Sequence, residues 1–135
     1  MLLELKICNL AIIENIEIKF SSGLNVFTGE TGAGKSILLS ALHLLLGGRS
    51  DKELVRSGQK EGWAEALFDI NENIEPFFKK LDIEYDIYEP LSIRRVIQNN
   101  GRSRAYINCT SVPATILKQL EIGRASCRER VCHRV

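Results

Sequence analysis

Between Leu24 and Leu46 the sequence runs from a short apolar strand (Leu24 to Thr28) through a glycine-rich loop into a helix with almost no polar face. Ile37, Leu38, Leu39, Ala41, Leu42, Leu44, Leu45 and Leu46 fill it, interrupted by Ser40 and His43. A helix that is apolar nearly all round must be covered on every side. This confines the helix, read as Lys35 to Leu46, to the middle of a layered α/β structure. Residues 1–120 hold little material for that covering, so part of it is expected from sequence outside them; the alternative is a central helix in a complete small domain. Gly47-Gly48 stands where a left-handed C-cap is wanted.

The flanking segments read as sheet. Leu3, Leu5 and Ile7 alternate with Glu4 and Lys6 in a half-buried strand from Leu2 to Ile7, and Ile12 to Phe20 repeats the habit with Ile16, Ile18 and Phe20 on one side. Ser21-Ser22-Gly23 is a turn. After a polar loop, Asp51 to Gly62, a strand is expected at Ala64 to Ile70 and a short amphipathic helix at Ile74 to Leu81. Leu91 to Gln98 and Arg104 to Asn108 form a hairpin through Asn99-Asn100-Gly101, where Asn-Gly suits a type I′ turn. A final helix begins at Thr115.

The loop of the central unit carries the chemistry. Gly29-Glu30-Thr31-Gly32-Ala33-Gly34-Lys35-Ser36 fits the phosphate-binding pattern G-x-x-x-x-G-K-[ST] at every fixed position. The glycines let the backbone wrap a phosphate and aim successive N–H groups inward. Lys35 adds a point charge for the β- and γ-phosphates, Ser36 offers a hydroxyl to Mg²⁺, and the helix N-terminus adds its dipole. A chance match is expected in on the order of one in a few hundred chains of this length. The preceding strand and following helix make a nucleoside triphosphate with Mg²⁺ the ligand to expect.

Other features narrow the class. The Asn-Lys-x-Asp and Asp-x-x-Gly elements of a GTPase are missing from the sequence. The best acidic strand end for a magnesium ligand, Ala66-Leu67-Phe68-Asp69, follows Glu65 and reads as half-exposed, so a complete hydrolytic apparatus is not visible. A small stand-alone kinase or other NTPase, and a non-functional truncated fragment, remain alternatives. A net charge of +1 gives no bulk reason to bind nucleic acid. No apolar run is long enough to cross a bilayer, and no secretory signal is legible at the start.

The segments Leu2 to Glu14 and Gly23 to Ile37, then Leu45-Leu46-Gly47-Gly48-Arg49, Val55-Arg56-Ser57-Gly58 and Gly101 to Asn108, resemble in order those of the bacterial RecN family, the DNA-repair members of the SMC-like branch of ABC ATPases. The resemblance covers residues 1–120 almost continuously. It implies an α/β P-loop NTPase of the ABC/SMC head type, the N-terminal lobe only, with a mixed sheet and an antiparallel β subdomain. It further implies a partner C-terminal head lobe beyond a coiled coil, a second protomer that closes over ATP, DNA as the partner of the whole protein, recombinational repair of double-strand breaks, and a cytoplasmic, nucleoid-associated location. The family's signature motif and magnesium-site strand lie further along such proteins, so hydrolysis by this stretch alone is not expected.

Arg49 and Arg56 follow the central helix, and Arg94, Arg95, Arg102 and Arg104 crowd the hairpin. Arg49, Arg56, Arg102 and Arg104 are candidates for contact with DNA phosphates or with the nucleotide across a dimer, against the reading of solvated faces balanced by nearby acids. His43 reads as a core-edge helix residue, Cys8 and Cys109 as small apolar ones. Residues 121–135, with four arginines and no period, read as foreign to the domain. Cys127, Cys132 and His133 match no standard zinc spacing.

Overall fold

The computed structural model describes residues 2–20, 32–69, 75–86 and 88–119. The expected strand Leu24 to Thr28, the Ser21–Gly23 turn, Gly29 to Thr31, Ile70, Ile74, Leu120 and the 121–135 tail lie outside those residues. Six strands, β1 (Leu2–Leu10), β2 (Ile13–Lys19), β3 (Glu61–Phe68), β4 (Leu91–Gln98), β5 (Ser103–Ile107) and β6 (Thr110–Val112), form one sheet in the order β2-β1-β3-β4-β5-β6. Every pairing between the described strands is antiparallel. The helices are α1 (Gly32–Leu45), α2 (Glu75–Leu81) and α3 (Ala114–Lys118), with a 3₁₀ turn at Lys52–Leu54.

The period of two sorts the sheet into an inner and an outer face. Gly62, Ala64, Ala66 and Phe68 of β3 are buried, as are Leu91, Ile93, Arg95 and Ile97 of β4 and Ala105 and Ile107 of β5. Against β3 and β4 lies α1. Ala41 on the helix and Ala64 and Ala66 on the sheet are fully buried, and side chains this small let backbone layers approach closely. Leu42, Leu44 and Leu45 are buried too, whereas Ile37, Leu38 and Leu39 are only half-buried. The chain therefore covers Ala41, Leu42, Leu44 and Leu45 of α1 fully and Ile37 to Leu39 in part.

On the outer face the register sets Glu17 opposite Lys6, Lys6 opposite Glu65, and Glu65 opposite Arg94. Opposite charges across neighbouring strands contribute roughly 0.2–1 kcal/mol each. Next to this row Glu4 and Glu17 share a side-chain hydrogen bond, which together with loss of water holds the Glu4 carboxyl above its ordinary value. The same bond holds Glu17 below its own.

Several boundaries differ from the sequence reading. Helix α1 begins at Gly32, three residues before Lys35, because the Gly32-Ala33-Gly34 backbone already turns helically. Strand β3 runs from Glu61 to Phe68 instead of Ala64 to Ile70, since Glu61 pairs with Gln98 and Gly62 with Ile97. Helix α3 starts at Ala114, behind an N-capping Pro113.

The hairpin turns also exchange roles. At Asn99-Asn100-Gly101 only Gly101 has a positive φ (91°), the Gly101 N–H donates to the Gln98 carbonyl, and the Gln98 N–H donates to the Arg102 carbonyl. This is the three-residue loop with a left-handed glycine, not a type I′ turn. Positive φ at both central positions, the mark of type I′, occurs instead at Asn108 (48°) and Cys109 (68°), which join β5 to the unforeseen β6. The Asn108 side chain secures that turn: its Oδ1 accepts the Ser92 N–H at 3.0 Å and its Nδ2 donates to the Glu84 carbonyl at 3.3 Å.

Candidate functional site

The site is built around the two ends of α1. At its start, the backbone of Gly32, Ala33, Gly34 and Lys35 forms the first helical turn. The first N–H groups of a helix have no partner within it and point along its axis, so this turn presents donors and a positive dipole end. No acidic side chain lies in the first turn to compete for them. Ser36 follows on α1 and is exposed. A turn of this kind suits a phosphate chain, and an exposed hydroxyl at its edge suits a hydrated Mg²⁺.

The far end of α1 is closed by a Schellman motif. The Gly48 N–H donates to the His43 carbonyl at 2.9 Å, the Gly47 N–H donates to the Leu44 carbonyl at 3.1 Å, and Gly47 holds φ 90°. His43 is exposed, with its ring set against Gly48. Here Arg95 enters. It rises from the inner face of β4 and is 3% exposed. Its Nη1 donates to the carbonyls of Leu44 at 2.9 Å and Gly48 at 2.8 Å, and its Nη2 donates to Ser103 Oγ at 3.3 Å. Burial lowers its pKa. A guanidinium starts so high that it stays charged, and a cation at a helix C-terminus complements the dipole.

The six arginines that precede residues 121–135 thus separate. Arg95 turns inward and braces the core. Arg94, one residue earlier, turns outward and lies over the Trp63 ring, 4.6 Å from its centroid, at a spacing where cation–π attraction operates. Arg102 and Arg104 are exposed on the β4–β5 hairpin. Arg49 is exposed just past the α1 cap, beside a shallow groove lined by Leu39, Ser40, His43, Leu44 and Leu54. Arg56 is half-buried: its N–H donates to the Asn9 carbonyl at 2.9 Å and its Nη1 to the Ile12 carbonyl at 3.1 Å. That residue clasps the β1–β2 turn, where Asn9 (φ 53°) and Ala11 (φ 51°) are both left-handed.

Asp69 is exposed one residue past the end of β3. Cys8 is half-buried, and Cys109, expected as a small apolar residue, instead lies exposed in the β5–β6 turn. Sequence reasoning placed Arg95 with a charged surface cluster. The signal that corrects it is the alternation Leu91, Ile93, Arg95, Ile97, which puts the arginine on the apolar side.

This architecture of an antiparallel sheet packed on helix α1 has a recognised class. Residues 4–124 match the family model described as an AAA domain, and the chain belongs to that family. Its sequence is 46% identical over 128 residues to the DNA repair protein RecN of Halalkalibacterium halodurans, covering 93% of this chain and 22% of that protein. It is 40% identical over 120 residues to the DNA repair protein RecN of Vibrio cholerae, covering 89% and 22% respectively. The chain thus spans about a fifth of the length of these relatives. Among solved structures, one from work on ATP-driven dimerization and DNA-stimulated activation of SMC ATPases superposes with a TM-score of 0.74 at 20% identity, covering 92% of this chain and 79% of that one. That likeness bears out the SMC-head type of fold, as the RecN relatives bear out the resemblance read from the residues.

Proposed function

We propose that this chain is the ATP-binding lobe of a RecN-like ATPase head that serves recombinational repair of DNA double-strand breaks. The observation that carries the reading is the helical first turn Gly32–Lys35, free of acidic side chains, inside a P-loop sequence and on an SMC-type fold. In this reading Gly29 to Lys35 wrap the phosphates, Lys35 neutralises the β- and γ-phosphates, and Ser36 ligates Mg²⁺. ATP, when bound, supplies the negative charge across which two heads engage. Arg49, Arg102 and Arg104 are exposed and free to meet DNA phosphates or a nucleotide held by a second protomer, while Arg56 has its guanidinium already engaged at Ile12. A C-terminal head lobe of the longer protein covers the half-buried Ile37 to Leu39 of α1. Residues 121–135 play no part in the site.

Genetic replacement tests the repair role. The full-length gene introduced into a RecN-deficient bacterium is expected to restore survival after double-strand breaks, and the Ser36→Ala version to restore little of it. Full rescue by Ser36→Ala, or no rescue by the unaltered gene, would contradict the proposal.

A further inference from the structure

We propose that Arg95 is the positioning residue that sets the axial placement of α1, and with it the placement of the phosphate-binding turn at the helix's other end. The inference deepens the nucleotide-binding reading and rests on it for its consequence, though not for its geometry.

Three observations carry it. First, α1 is a rod of 14 residues, about 21 Å long at the usual helical rise, with Gly32–Lys35 at one end and Leu44 at the other. A displacement imposed at one end of such a rod appears at the other. Second, the β3 stretch beneath it offers little to stop it sliding, which leaves β4, with Ile93 and Ile97 on either side of Arg95, to hold it. Helices are normally held along their axes by side-chain ridges seated in grooves. Under α1, β3 contributes Gly62, Ala64 and Ala66, which raise no ridge. Third, the fixed point is at the C-terminus. One buried guanidinium binds the Leu44 and Gly48 carbonyls and reaches Ser103 on the next strand, so the helix end is pinned to β4 and β5 together. Its Nε is buried without a hydrogen-bond partner, so an apolar residue of similar length would leave fewer unpaired atoms on the side-chain side. What a charged residue adds here is the grip on two backbone carbonyls.

The test uses the full chain and two readouts, hydrogen exchange of the amides in 32–36 and affinity for MgATP, at a temperature where each variant is fully folded. Arg95→Met removes the grip. Arg95→Lys keeps the charge but loses the planar fork and the reach to Ser103. Phe78→Leu, a buried change on α2 where the ring meets Tyr85, serves as a control of lowered stability. For Arg95→Met, exchange at 32–36 is expected to accelerate at least tenfold and ATP affinity to fall about tenfold, equivalent to roughly 1.4 kcal/mol. Arg95→Lys should give about a threefold change in both, and decides the matter if the Met variant does not fold. Phe78→Leu should melt earlier yet leave both readouts where they were. Unchanged exchange and affinity in a folded Arg95 variant, or changes matched by Phe78→Leu, would overturn the proposal. Absence of ATP binding by the unaltered chain would instead end the nucleotide reading, and the exchange result would still decide the role of Arg95.

Discussion

Alanine at Gly62 is expected to destabilise the chain by about 3 kcal/mol or more, one of the larger effects a single methyl group can have. The added Cβ would lie 2.2 Å from the Asn9 carbonyl oxygen, 2.9 Å from its carbon and 2.8 Å from Leu10 Cδ2. A side chain could rotate away, but the nearest atoms belong to backbone. Asn9 is also poorly placed to retreat. It holds φ 53°, its carbonyl accepts the Arg56 N–H at 2.9 Å, and the neighbouring Ala11 N–H donates to the Leu54 carbonyl at 2.7 Å. Relief of the clash therefore requires β1 to part from β3 or the 3₁₀ loop to release the β1–β2 turn. Thermal denaturation followed by circular dichroism should show a midpoint lowered by roughly 10 °C or more. A midpoint within a few degrees of the unaltered chain would show that this approach is looser than described.

The second large effect is at Gly47. Alanine there meets two obstacles at once, the left-handed φ of 90° and an added Cβ lying 2.9 Å from the Lys118 backbone nitrogen and 2.6 Å from its Cγ. Conformational strain alone costs about 1 kcal/mol for a non-glycine residue. The collision with α3 should bring the total to about 2–4 kcal/mol. Gly101 supplies the contrast, because it has φ 91° with nothing within 4 Å of an added Cβ. Gly101→Ala should therefore show only the strain, about 1 kcal/mol. Denaturant titrations of the two variants separate the terms, and equal losses at both positions would show that α3 does not pack over the helix cap.

These two glycines also illustrate what a sequence discloses. Gly47 was legible because a helix stop is local: an apolar period ends and a pair of glycines follows. Gly62 read as the end of a polar loop, since its constraint comes from Asn9, far away in the chain but adjacent in the sheet. The same division runs through the fold. Strands β1, β2 and β4 carry a period of two and α1 a long apolar run, and each is found at its expected place, with α1 starting earlier and β1 ending later than read. Strand β6 has only three residues and no period, and its turn places Asn108 and Cys109 in the left-handed conformations that the sequence assigns to Asn99-Asn100-Gly101. What secured Asn108 is its side-chain hydrogen bonding to Ser92 and Glu84, which no local pattern announces.

The candidate site divides likewise. The proposed phosphate-binding loop is a short contiguous pattern whose residue types state their own chemistry, so the proposal is legible in the sequence. Arg95 acts on α1 from 51 residues away along the chain. Its partners are backbone carbonyls, which carry no residue identity, and only its place in the alternation of β4 hinted that it points inward.

The central claim is that the loop ending at Lys35 and Ser36 holds MgATP. Calorimetric titration of MgATP into the full-length protein, beside its Lys35→Ala variant, tests this most directly. The account predicts saturable binding by the unaltered protein and a loss of about a hundredfold or more in the variant, since removing a charge-assisted contact to phosphate costs about 1.5–3 kcal/mol and disturbs the loop around it. Equal affinity in the two proteins, or no binding by the unaltered one, would contradict it.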